Sequence, residues 1–166
     1  MRRLLALIVS IVLVAAAPVL RAQNPLTATL SVSATVTARA KLTLSSASMT
    51  FPDADPDTVP LVPASGGALT ITAKGRTMLG TTVTLVVLAS SDLQSGLDTI
   101  AANQLAWTAT GAGFVGGTMN RTTAQTVGSW VSSGQWIGTQ SYALTNSWNY
   151  STGTYTTTLT YTLTAP

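Results

Sequence analysis

From Leu26 to Leu44 the chain alternates without a break. Leu26, Ala28, Leu30, Val32, Ala34, Val36, Ala38, Ala40, Leu42 and Leu44 occupy the even positions, and Thr, Ser, Arg39 and Lys41 the odd ones. Period-2 alternation predicts a strand with one buried face. At ~3.3 Å per residue the stretch would span about 60 Å, well beyond the ~20 Å of an ordinary strand. Two readings account for the excess. Either the chain passes from one sheet to another near Thr37–Arg39, or the part over 23–37 is an extended N-terminal strand reaching beyond the domain.

Further strands are predicted at Ala47–Phe51, Ala68–Lys74, Gln104–Thr110, Gln125–Val131 and Gln135–Thr139. Thr81–Ser90 is the most apolar run and reads as a central strand. Pro52, Pro56, Pro60 and Pro63 make 52–63 a loop, because proline cannot sit within a central ladder. Asp98–Ala101 reads as a short helical turn. Ser141–Tyr150 and Thr154–Thr164 alternate on either side of Ser151-Thr152-Gly153, which predicts a closing hairpin. No helical periodicity follows the first residues. The expected fold is an all-β sandwich of roughly eight strands, immunoglobulin-like or jelly-roll, in a single domain over 23–166.

The first 22 residues read as a signal peptide, with Arg2 and Arg3 before the apolar run Leu4–Ala17 and a small residue, Ala22, at the cleavage site. The run is shorter than the ~20 residues that span a bilayer, so no membrane span is expected after cleavage. Removing the leader also changes the charge. Arg2, Arg3 and Arg21 go with it, leaving five basic residues against five aspartates. The mature chain is neutral despite a pI of 9.7 for the whole sequence, and net charge gives no argument for nucleic acid. Only 8% of residues are charged, against ~25% in ordinary soluble domains. Threonine, 30 residues of it, supplies the polarity and favours strands. An exported chain without cysteine is held by its core or by assembly, and suggests a bacterial periplasmic or cell-surface protein.

Histidine, cysteine and glutamate are all missing. Triad and thiol catalysis, imidazole and thiolate metal sites and glutamate acid–base pairs are thereby excluded, and a non-enzymatic protein is expected. Three candidate sites remain. Asp53, Asp55 and Asp57 in FPDADPDTVP offer hard oxygens for Ca²⁺, provided Asp92 or Asp98 approaches to complete the set; otherwise they form a solvated turn. Trp130 and Trp136 flank a predicted turn and are candidates for stacking on a cell-wall glycan or another protein, or else for buried packing, which tryptophan favours; Trp107 and Trp148 read as core. Leu26, Ala28, Leu30 and Val32 form an amphipathic strand that could enter a neighbouring subunit by β-strand addition, or serve as the first strand of its own domain.

Three segments carry a resemblance: the opening TLSVSATVTARAKLTLSSASMTF, the strand QLAWTAT around Trp107, and the ending GTYTTTLTYTLTAP. Together they resemble bacterial surface domains of the WxL type, with Tyr161-Thr162-Leu163 standing where the family has Trp-x-Leu. The chain is also similar to pilin-like, spore-coat-U-like sandwich subunits, without the cysteines common there. The resemblance implies a surface-exposed structural or adhesive protein whose partners are copies of itself, other surface proteins or cell-wall glycan.

Overall fold

Alternating strands can bury their apolar faces only against a second sheet, and here two antiparallel sheets do so. The computed structural model describes residues 28–166; the predicted signal peptide and Leu26 lie outside them. The strands are β1 (Arg39–Leu44), β2 (Leu61–Pro63), β3 (Leu69–Arg76), β4 (Thr82–Ala89), β5 (Leu93–Ser95), β6 (Asp98–Ile100), β7 (Leu105–Thr110), β8 (Gly117–Thr118), β9 (Gln125–Val131), β10 (Gly134–Thr145) and β11 (Leu159–Thr164). One sheet runs β1-β3-β10-β7-β8, with β2 also on β10; the other runs β11-β4-β9, and β5 and β6 form a separate hairpin. The seven longer strands divide four and three, as in an immunoglobulin-like sandwich, but the fifth and sixth of them (β9 and β10) exchange sheets.

The core lies between the sheets. Ile71 and Ala73 of β3, Leu105 and Trp107 of β7, and Tyr142 of β10 meet Val83, Leu85 and Val87 of β4 and Val127 of β9. β4 sits in the middle of its sheet, as its β-branched run predicts. β9 is harder to read because it bulges: Leu85 faces Gly128 and Val86 faces Thr126, so Val127 is an extra residue. Both Val127 and Gly128 are buried in consequence, which breaks the alternation.

Several expectations need correction. The alternation begun at Leu26 forms a strand only from Arg39; residues 28–38 belong to none and are exposed throughout. Alternation specifies faces, but a strand also needs a hydrogen-bonding neighbour. Residues 35–166 form one compact unit, and of the other unit only 28–34 are described. Ala47–Phe51 forms no strand, and Asp98–Ile100 is β6, with a 3-10 turn following at Ala102–Gln104. The closing hairpin does not form. Gln135–Thr139 and the first part of Ser141–Tyr150 merge into the long β10, which pairs with β3, β7 and β2, while β11 crosses to the other sheet and pairs with β4. Trp148, expected in the core, is 69% exposed because β10 ends before it.

Candidate functional site

The acidic loop is held together by its own backbone. The Asp55 carboxylate accepts the Asp57 N–H at 2.9 Å, and the Asp55 carbonyl accepts the N–H groups of Thr58 and Val59 at 3.1 and 2.8 Å. Asp followed by Pro favours this self-bonded turn. Asn146, just past β10, fastens it: its side-chain amide donates to the carbonyls of Ala54 and Val59, at 2.9 and 3.2 Å. The Asp57 carboxylate accepts the indole N–H of Trp148 at 3.0 Å. Asp92 has other partners, the Ala102 N–H at 2.8 Å and Arg121 Nε at 3.1 Å. Among the described residues no group of three or more acids is placed to hold a metal ion. The loop therefore has the geometry of a capped turn.

Trp130 and Trp136 do come together, but as packing. Their rings stack 4.7 Å apart with an interplanar angle of 11°, and Phe114 meets the Trp130 ring edge-on at 4.9 Å. Trp130 is buried and donates to the Ala112 carbonyl at 2.8 Å; Trp136 is half-buried. Space for these rings comes from glycines. A Cβ on Gly128 would stand 2.4 Å from the Trp130 ring, and one on Gly138 would stand 2.4 Å from Phe114. The pair is thus not the exposed stacking platform that its place beside a turn suggests, because the face of Trp130 is covered by Trp136.

A polar cluster in the core has no counterpart in the sequence reading. Gln140 is fully buried on the inner face of β10, beside Tyr142 on the same face. Its carbonyl oxygen is within hydrogen-bonding reach of the hydroxyls of Tyr142 and of Tyr161 from β11, which also lie against each other, so two hydroxyl protons are shared among three contacts. The Gln140 amide nitrogen has no partner among the described residues. Tyr142 and Tyr161 also help line a cleft of about 450 Å³, together with Leu44, Leu69 and Leu159 and the serines of the turn after β1. The cleft therefore reaches from β1 to β11, each the outermost strand of its sheet.

Burial pushes the Tyr142 hydroxyl far above the ordinary tyrosine range, with the charge and hydrogen bond of Tyr161 adding to it. Burial pushes Tyr161 up to about 12, opposed by the hydrogen bond from Tyr142. Neither is a base near neutral pH. Because both pKa values are raised on folding, the unfolded chain gives up these protons first. The associated stability is fully present below about pH 10 and is lost as pH rises toward 12. A pH titration of urea stability is expected to fall above pH 10, and Tyr142→Phe with Tyr161→Phe should flatten that fall. An unchanged slope in the double variant would contradict the assignment.

Compared with known proteins, the chain matches no family model, and no curated protein and no solved structure is significantly similar to it.

Proposed function

We propose that this chain is an exported, non-enzymatic bacterial surface protein, a structural or adhesive subunit that assembles by adding its N-terminal strand to a neighbouring copy. One observation carries the reading. Residues 28–38 keep the strict alternation of a half-buried strand, yet Leu30 is 88% and Val32 85% exposed and the segment lies in no sheet. A soluble domain rarely leaves such a stripe in water without an interaction to cover it. The acceptor is a free sheet edge. β1 and β11 end their sheets, and the cleft between them offers Leu44, Leu69 and Leu159 to an incoming apolar face. In strand addition the main chain supplies hydrogen bonds and alternate side chains fill the groove. The missing His, Cys and Glu support the non-enzymatic part, and the N-terminal leader pattern supports export.

Chains beginning at Gln23 and at Ser33 provide the test. In about 500 mM salt, where contacts between exposed charges are screened, the longer chain should form polymers by light scattering and the shorter should remain a folded single species. Equal size distributions would remove strand addition from the account.

A further inference from the structure

A neutral mature chain can still carry separated charge, and this one does. Arg39 lies directly opposite Arg76, and Lys41 directly opposite Lys74, across the β1–β3 ladder. Leu42 and Leu44 of β1 and Leu69, Ile71 and Ala73 of β3 face the core, so alternation turns all four cations to the outer face. Each is exposed. All five aspartates are within the described residues, and the one ion pair there joins Arg121 to Asp92. None of the four cations in this array is in an ion pair among the described residues.

Cations on an edge strand are a common guard against edge-to-edge pairing, which would account for Arg39 and Lys41. It does not account for Lys74 and Arg76, because β3 lies between β1 and β10. Like charges placed directly opposite each other on neighbouring strands are unfavourable.

The acids sit at the other end. β10 starts at Gly134, opposite Gly75 and beside the array, and ends at Thr145, next to the Asn146 that fastens the acidic loop. Those ends are roughly 36 Å apart at ~3.3 Å per residue. Asp53, Asp55 and Asp57 lie in that loop, and Asp98 begins β6 in the hairpin that follows the same end of β4; all four are exposed and none is in an ion pair. Four cations outside any ion pair at one end thus match four such carboxylates at the other. An anionic polymer would satisfy the first set and leave the second unanswered; a second copy of this chain satisfies both.

We infer that the Arg39/Lys41/Lys74/Arg76 face docks the Asp53/Asp55/Asp57/Asp98 end of another copy, joining subunits head to tail. Such a contact uses two different surfaces, so it propagates into a filament or closes into a ring. Complementary fields of this kind also speed and orient encounter. The inference takes from the proposed function only its partner, a second copy, and does not require strand addition.

The test uses the chain from Gln23 in about 10 mM and about 500 mM salt, where the screening length falls from roughly 30 Å to under 10 Å. Association by sedimentation should weaken at least tenfold at the higher salt. Lys41→Glu with Lys74→Glu cancels the net charge of the cation face, and Asp53→Lys with Asp98→Lys cancels that of the acidic end. These positions avoid Arg76, which holds the Thr37 carbonyl at 3.0 Å, and Asp55 and Asp57, which hold the loop and Trp148. Each variant alone should associate at least tenfold more weakly than the parent, with its melting temperature kept, and an equimolar mixture should recover association. A mixture that stays apart would overturn the proposal. So would a parent chain that remains monomeric in low salt while binding polyphosphate through Lys41 and Lys74. If the chain from Ser33 associates as strongly as the chain from Gln23 and both come apart at high salt, strand addition fails and the end-to-end contact stands. If charge reversal changes nothing while the chain from Ser33 is monomeric, the contact fails and strand addition stands.

Discussion

Gly138→Ala is expected to lower the stability of the domain by about 3 kcal/mol, the upper part of the range for overpacked cores. The added Cβ would lie 2.4 Å from Phe114 Cδ2 and 2.5 Å from the Thr110 carbonyl oxygen. The first of these could be relieved by turning the ring, but the second is backbone of the adjoining strand. Phe114 is not free to turn either. It packs edge-on against Trp130, which is stacked on Trp136 and tied to the Ala112 carbonyl. Whole domains have only about 5–15 kcal/mol of stability, so this one methyl removes a large share. In urea the midpoint should fall by roughly 1–2 M, taking a slope of about 2 kcal/mol per M. Ser141→Ala, on the exposed side of the same strand, should stay within about 0.5 kcal/mol of the parent. Equal midpoints for the two variants would show that the aromatic cluster yields more easily than its contacts imply.

Much of the fold was legible from period-2 alternation. Thr81–Ser90, Gln104–Thr110 and Gln125–Val131 were expected as strands and are observed within a residue at each end as β4, β7 and β9. β10 was divided because its buried face reads Trp136, Gly138, Gln140, Tyr142: a glycine and an amide stand where an apolar residue signals a core position. Both have reasons visible only in three dimensions. Gly138 makes room for Phe114, and Gln140 meets two tyrosine hydroxyls, one of them from the opposite sheet. Strand partners were not legible either. Ser141–Tyr150 and Thr154–Thr164 look like hairpin arms, yet they belong to different sheets, because alternation carries no information about which strand lies alongside. The cation array was hidden for the same reason. Arg39 and Arg76 are distant in sequence, and only the β1–β3 register brings them opposite. The sequence offers the acidic loop as a turn or a calcium site, but Asn146 and Trp148, which bond to it in the fold, lie far along the chain.

Leu30→Asp with Val32→Asp should leave the folded domain intact and abolish the polymers that form by strand addition. Both side chains are almost wholly exposed, so the substitutions remove no core packing, and surface changes of this sort rarely exceed about 0.5 kcal/mol. In a donated strand the same positions face into the neighbour's groove. There each carboxylate would have to be desolvated among Leu44, Leu69 and Leu159, a penalty large enough to prevent seating. A change in assembly without a change in stability separates a strand that acts between copies from one that supports its own domain.

Sedimentation velocity on the parent chain from Gln23 and on this double variant, in about 500 mM salt to screen the end-to-end charge contact, at matched concentration and with melting curves recorded for both, is the most direct measurement. The account predicts large, heterogeneous species for the parent and a single monomeric boundary for the variant, at equal melting temperatures. A parent that sediments as a monomer at every concentration, or a variant that polymerises just as well, would contradict it.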